Sequence, residues 1–255
     1  SCYLLAPWSN RIKGARFLWR GDTYALPADW PDRTAIHGLV KDKPFRIVER
    51  SPVSALLRYD HQPGNADGWP WSFRCDARYQ LTDRGMLVRL RLKNTTSVIA
   101  VPMPAGVGFH PFFPREGPAS VDPASLRYDS RGRYPAEVMI PTAPARIDET
   151  TELLASGRPL GPLALDDVFL GCPDGAGMRC AGGRLRYSCS PNLGHAVIYT
   201  GTPDAESRMP ALCFEPVTMV NDGFNLHSRG WPNTGVHALG QGQTLEVWWA
   251  IEVET

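Results

Sequence analysis

The segment Trp71 to Leu81, WSFRCDARYQL, alternates without a break. Trp71, Phe73, Cys75, Ala77, Tyr79 and Leu81 fall on one side, and Ser72, Arg74, Asp76, Arg78 and Gln80 on the other. Successive side chains of a strand point to opposite faces, so a period of two predicts a long strand with one dry and one wetted face. Thr82-Asp83-Arg84-Gly85 then supplies turn chemistry. Beyond it Met86, Val88, Leu90 and Leu92 alternate with Arg89, Arg91 and Lys93 until Asn94-Thr95-Thr96 breaks the pattern. Together the two runs predict an antiparallel hairpin.

The pattern returns near the C-terminus. In Leu245 to Val253 (LEVWWAIEV), Leu245, Val247, Trp249, Ile251 and Val253 oppose Glu246, Trp248, Ala250 and Glu252, after the loop Gly240-Gln241-Gly242-Gln243. Shorter strands are expected at Ala55 to Tyr59, Leu185 to Ser190, Ala196 to Thr200 and Ala211 to Glu215, each bounded by Gly, Pro, Asn or Asp. Twenty-four prolines and 24 glycines leave few windows in which a helical stripe runs for three turns. The Pro-rich stretches Glu116 to Pro123 and Pro135 to Pro144 are expected to be surface loops, because the strand pattern resumes after each. No fixed-period repeat points to a propeller or solenoid. The expectation is an all-β protein, a large antiparallel sandwich of two curved sheets, in one domain spanning residues 1–255.

Composition removes several function classes. Twenty-seven basic residues against 26 acidic ones give a formal charge of +1, and the arginines are scattered, which is not the footprint of a nucleic-acid binder. The uncharged run Ser97 to Phe109 (SVIAVPMPAGVGF) is too short for a membrane span and is interrupted by Pro and Gly. Ser1 to Trp8 (SCYLLAPW) lacks the basic lead and apolar length of a secretory leader. No membrane partner and a cytoplasmic location are therefore expected. The six cysteines, at 2, 75, 172, 180, 189 and 213, contain no C-x-x-C and are expected to be reduced. Neither a Walker loop nor a G-x-G-x-x-G between strand and helix is present; Gly106-Val107-Gly108 lacks the third glycine. There is no G-x-S-x-G elbow and no H-x-x-x-H pair. No cofactor and no metal are expected, while a metal site assembled from residues distant in sequence stays open.

What remains is a set of polar residues in apolar settings. Asn10-Arg11 follows APWS, His37-Gly38 follows Ala35-Ile36, His110 lies in GFHPFF, Asp166-Asp167 opens DDVF, and Glu215 follows Leu212-Cys213-Phe214. Each has a structural reading. A histidine among aromatics is more often a core residue with one backbone partner, Arg11 alone reads as a surface charge, and Asp166 reads as a turn cap. Glu215 stands out, since alternation puts it on the face of the small residues Ala211 and Cys213, opposite Leu212 and Phe214.

In their order along the chain, NRI (Asn10 to Ile12), HG (His37-Gly38), GFHPFF (Gly108 to Phe113), LDDVF (Leu165 to Phe169), VIYTG (Val197 to Gly201) and FEPVTMVND (Phe214 to Asp222) resemble the landmarks of the aldose 1-epimerases, or mutarotases. The resemblance implies a β-sandwich of the galactose-mutarotase type with a sugar bound in an open cleft on one sheet. It matches His110 to the family's general acid and Glu215 to its general base. Arg11, His37 and Asp166 match its sugar-binding positions, Asp166 being preferred to Asp167 for its place before the variable residue of the motif. Family members usually carry further strands ahead of NRI, so the resemblance leaves two readings open: Ser1 is not the natural start, or the domain lacks the first strands of the family. The aromatic three residues after the histidine is Phe113, not a tyrosine.

The implied chemistry suits those residue types. Interconverting α and β anomers takes the proton from the anomeric hydroxyl and gives one to the ring oxygen, opening the ring to an aldehyde that turns and re-closes. An ionised glutamate serves as base, and an imidazolium, with an ordinary pKa near 6.5, as acid. Burial would lower the His110 pKa and the nearby Glu215 charge would raise it. Phe112, Phe113 and Trp8 are candidates for the wall that meets the C–H face of a pyranose. The leading expectation is an isomerase acting on a free hexose. Two alternatives stay open: a non-catalytic carbohydrate-binding or sugar-sensing domain on the same fold, and an epimerase of hexose phosphates using Arg11, Lys13, Arg16, Lys41 and Lys43.

Overall fold

In the computed structural model, which describes residues 1–64, 66–97, 99–114, 124–180, 183–201 and 211–254, the alternating stretch forms the strand Phe73–Leu81. It pairs antiparallel with Gly85–Asn94, Leu81 opposite Met86 and Phe73 opposite Asn94. This hairpin is the centre of an eight-stranded sheet. Its order is Ser125–Arg127, Gly177–Cys180, Gly183–Cys189, Thr244–Glu254, Gly85–Asn94, Phe73–Leu81, Ser54–His61 and Arg46–Arg50. Phe73, Cys75, Ala77, Val88, Leu90, Leu92, Val247 and Trp249 are buried on one face. The opposite face carries the arginines and acids, paired as Arg74–Asp60 at 2.7 Å, Arg78–Glu49 at 2.7 Å and Arg91–Glu246 at 3.0 Å. Exposed pairs of this kind contribute at most about 1 kcal/mol each, so the dry face holds the sheet in place.

A second sheet of six strands supplies the opposing layer. Its order is Cys2–Leu5, Gly108–Pro114, Ala211–Val217, His195–Tyr199, Asp166–Leu170 and Gly132–Arg133. All its pairings are antiparallel. The two inner faces interdigitate through aromatic rings: Phe109 lies 5.7 Å from Trp249, Phe214 4.9 Å from Tyr187, and Phe113 6.1 Å from Tyr187. Burying a side chain of this size stabilises by about 2 to 3 kcal/mol before side-chain entropy is subtracted. Gly108 sits where only hydrogen fits, because a Cβ there would lie 2.5 Å from Val217 Cγ1.

The outer face of the six-stranded sheet is covered over only part of its area. Leu5, Val168, Leu170, Val197 and Val217 lie under Tyr134, Val220 and Leu226 as a second apolar cluster. The rest of that face stays open and becomes the cleft.

Several sequence expectations are refined. Each predicted short strand is present; Ser54–His61 and Ala211–Val217 run longer than expected, whereas Gly183–Cys189 and His195–Tyr199 begin earlier and end before Ser190 and Thr200. The predicted loop Glu116 to Pro123 lies outside the described residues. The predicted loop Pro135 to Pro144 contains a two-stranded hairpin, Ala136–Glu137 with Ile140–Pro141. Its turn residues Val138 and Met139 have φ of 46° and 65°; both are left-handed, as in the tight turn that usually takes Asn-Gly, so residue type hides it.

Two α-helices also form among the described residues. Glu149–Ser156 is closed by a capping box at Asp148 and by left-handed Gly157, and Gly223–Ser228 packs Phe224 5.1 Å from Phe17. All six cysteines are free thiols. Cys172 and Cys189, distant in sequence, bring their sulfurs to 3.5 Å.

Candidate active site

The strand register builds the site. Gly108 pairs with Val217 and Phe112 with Cys213, so His110, midway between them, lies opposite Glu215. Tyr3 opposes His110, and Val197 opposes Glu215. One row across the outer face therefore reads Tyr3, His110, Glu215, Val197. The next row reads Phe112, Cys213, Tyr199, Asp166. Alternation places Asp166 on this face with Val168 and turns Asp167 to the other side, where it lies 3.5 Å from Arg133 Nη1.

His110 Nε2 approaches Glu215 Oε1 at 3.2 Å. The two residues are 8% and 2% exposed, which makes this a contact shielded from bulk water. Phe112 stacks on the imidazole, with centroids 4.5 Å apart and planes 9° from parallel. His37 meets it nearly edge-on at 5.0 Å. Burial pushes the His110 imidazole down to about 4. Burial pushes the Glu215 carboxyl well up, the Asp166 charge adding to that and Arg11 opposing it. Both shifts favour the neutral pair, one proton held between carboxyl and imidazole. Three buried polar atoms, His37 Nδ1, His110 Nδ1 and Glu215 Oε2, have no hydrogen-bond partner among the described residues. Such atoms are costly unless a ligand or water completes them.

A short antiparallel strand pair, Arg11–Ile12 with Ala35–Ile36, brings Arg11 and the following His37 over this row. Asn10 and His37 both adopt left-handed backbone, with φ of 50° and 64°, and the His37 amide donates to the Asn10 carbonyl at 2.9 Å. Burial, then the charges of His110, Lys41 and Arg11, press His37 down to about 2. It is therefore a neutral ring. Gly38 is required because its chain passes the carbonyl of Ala6, where a Cβ would sit 2.2 Å from the oxygen. Arg11 Nε donates to Asp32 Oδ2 at 2.8 Å. Burial opposes ionisation of Asp32, yet hydrogen bonds from Thr34 and Arg11 outweigh it and hold its carboxyl below the ordinary value. Asp166 stands exposed at the mouth; desolvation raises its carboxyl and the Arg11 charge counters that.

The end of FEPVTMVND fixes the beginning of NRI. The Asp222 amide donates to the Arg11 carbonyl at 2.7 Å, and its Oδ1 accepts from the Lys13 amide at 3.0 Å and from Asn225 Nδ2 at 2.7 Å. Ser9 Oγ donates to the Met219 carbonyl at 3.1 Å. Asp32 and Tyr3 had no signal in the sequence, and Asp222 and Tyr199, although inside the landmarks FEPVTMVND and VIYTG, were not singled out as site residues. The aromatics divide. Phe112 lines the cleft, whereas Phe113 faces Tyr187 and Trp8 lies buried with its ring 5.6 Å from Trp69, so these two belong to the core. Of the cations considered for a phosphate, Arg11 is held by Asp32, and Lys41 by Asp29 at 3.0 Å and the Ile36 carbonyl at 3.0 Å. Among the described residues, His110, Cys213 and Glu215 form the group whose donor atoms lie close enough to share a metal ion. No helix among them is long and apolar enough to cross a membrane.

A two-sheet antiparallel sandwich of this kind is the fold of galactose mutarotase-like proteins. The family model for aldose 1-epimerase matches residues 1–248, and the chain belongs to that family. It is 26% identical to the uncharacterized protein YihR of Escherichia coli K12 over 228 residues, 87% of this chain and 71% of YihR. It is 33% identical to the uncharacterized protein YphB of the same organism over 116 residues, so the match takes in 45% of this chain and 37% of YphB. Its fold superposes on a galactose mutarotase-like protein from Clostridium acetobutylicum with a TM-score of 0.83 at 21% identity, covering 100% of this chain and 79% of that one.

Proposed function

We propose that this protein is an aldose 1-epimerase that interconverts the anomers of a free hexose, with His110 as acid and Glu215 as base. The observation that carries the reading is the buried 3.2 Å contact between His110 Nε2 and Glu215 Oε1 on the open face of a sheet. The ring oxygen and the anomeric hydroxyl are bonded to the same carbon, so the acid and base that serve them have to sit side by side. His110 gives its proton to the ring oxygen while Glu215 takes the one on the anomeric hydroxyl; the C1–O5 bond breaks and the aldehyde forms. After rotation about C1–C2 the same two transfers run in reverse. The pair holds one proton before and after, so no net proton is consumed.

Burial sets the energetics of the resting pair. Burial makes the shared proton favour Glu215, and the reactive arrangement places it on His110. Arg11 lowers the Glu215 carboxyl and so favours that arrangement. Arg11, His37 and Asp166 bind the sugar hydroxyls: a cation fixed by Asp32, a neutral ring with an unpaired Nδ1, and an acceptor at the mouth. Phe112 offers an apolar face to the ring carbons.

Polarimetry of freshly dissolved α-D-glucose and α-D-galactose in low phosphate tests this. The protein should speed the approach to the same α/β equilibrium, and His110→Gln or Glu215→Gln should slow it by about 10² to 10⁴. No acceleration with either sugar, or full rates in both folded variants, would refute it.

A further inference from the structure

The cleft floor holds three side chains in the arrangement that a β-sheet offers a small cation. Cys213 and Glu215 are two apart on one strand and so face the same way, and His110 opposes Glu215 on the next strand. One donor atom from each, nitrogen, sulfur and oxygen, lies within 4.8 Å of the other two, and all three residues are buried. The separation between His110 Nε2 and Glu215 Oε1, 3.2 Å, already suits two ligands of one zinc ion. Bonds of about 2.0 to 2.1 Å at a tetrahedral angle set nitrogen and oxygen roughly 3.3 Å apart. A zinc–sulfur bond of about 2.3 Å asks the Cys213 sulfur to come within roughly 3.5 Å of each. A second observation points to a ligand: Glu215 Oε2 has no hydrogen-bond partner among the described residues, on a side chain only 2% exposed.

We propose that His110, Cys213 and Glu215 form a binding site for a borderline-soft divalent ion of the zinc class, and that the bound ion shuts out the sugar. A thiolate, an imidazole and a carboxylate select zinc, cobalt or cadmium over magnesium or calcium, which take oxygen ligands. Three protein ligands leave the fourth tetrahedral position for water. Binding displaces the Cys213 thiol proton and the proton shared by His110 and Glu215 to solvent, and no electrons move. The acid and base are then both occupied by the ion. Inhibition follows from the site, whereas binding of the ion stands apart from the epimerase reading.

The probe is Co²⁺ added to the metal-free protein, with absorbance followed in the near ultraviolet. One equivalent should give a thiolate-to-cobalt charge-transfer band that Zn²⁺ abolishes. Cys213→Ser should remove the band, and Cys172→Ser/Cys189→Ser, which deletes the close thiol pair elsewhere in the fold, should keep it. Where the wild type shows sugar turnover, Zn²⁺ should suppress it. Scored against each variant's own metal-free rate, the inhibitory concentration should rise about 100-fold or more in Cys213→Ser, since even outer partners of a ligand are worth 10- to 100-fold. If Cys213→Ser does not fold by circular dichroism, Glu215→Gln substitutes, with cobalt affinity weakened by a similar factor. No band in the wild type, or a band unchanged in the folded ligand variant, would overturn the proposal whether or not the protein turns over sugar.

Discussion

Replacing Gly38 by Ala should damage both stability and the site, and the structure sets the size of the effect. The new Cβ would lie 2.2 Å from the Ala6 oxygen, 2.5 Å from its carbon and 2.8 Å from the Trp8 oxygen. All three are backbone atoms, so relief requires moving the chain that bridges Ala6 to Gly38. At φ 75° an alanine also pays about 1 to 2 kcal/mol for left-handed backbone, partly offset by about 0.4 to 1 kcal/mol from a stiffer unfolded chain. Gly175→Ala isolates that backbone cost, because Gly175 has φ 78° and nothing within 4 Å of its Cβ position. The control should lose about 1 kcal/mol. Gly38→Ala should lose a further 1 to 3 kcal/mol or so from overpacking, about 3 in all, or about 6 to 12 °C in Tm for a chain of this length. His37 shares the displaced loop, so sugar turnover should fall with it, while Gly175→Ala keeps full turnover. Thermal unfolding and polarimetry of the two variants measure both effects. Equal losses in the two would show that the close approach at Ala6 does not hold the His37 loop.

Two further outcomes follow from the fold. His195 is 2% exposed, and burial presses it from an ordinary 6.5 down to about 4 against hydrogen bonds to the Thr218 and Asn233 carbonyls. A depressed folded value means that its contribution is fully present above pH 6.5 and is lost as pH falls toward 4, by about 3 kcal/mol. Chemical unfolding from pH 7 to 4 should therefore show an acid loss that is about that much smaller in His195→Asn; identical slopes would contradict this. Val138 is 72% exposed and carries a β-branched side chain at φ 46°, so Val138→Gly should stabilise by about 1 kcal/mol, read as a rise in the denaturation midpoint. A fall in the midpoint would mean that the turn is not strained.

Alternation was legible wherever one face of a strand is dry. The Trp71–Leu81 and Leu245–Val253 patterns became the middle of the larger sheet because a one-residue slip would have turned Phe73, Cys75, Val247 and Trp249 to water. The same logic placed Glu215 on the face of Ala211 and Cys213. The helix Glu149–Ser156 had its signals, Asp148 at one end and Gly157 at the other, but with only Thr151 and Leu154 buried it lacks a long apolar stripe. The Val138-Met139 turn was illegible in principle, since both residue types argue against the backbone they adopt. His110, Glu215, Arg11, His37 and Asp166 were singled out as polar residues in apolar settings and by family likeness. Asp32 and Asp222 escaped because their partners lie 21 and 209 residues away; only the folded chain brings them to Arg11 and Lys13. Trp8 and Phe113 show the converse, since an aromatic beside a site motif is as readily core as wall.

The central claim is that His110 and Glu215 work as one proton-transfer unit. The direct measurement is α-to-β exchange of D-galactose by anomeric saturation-transfer NMR for the wild type, His110→Gln, Glu215→Gln and the double variant. Residues that act as a unit are far from additive, so the double variant should be no slower than the slower single variant. Losses that multiply would contradict the account, as would exchange at the wild-type rate in either single variant.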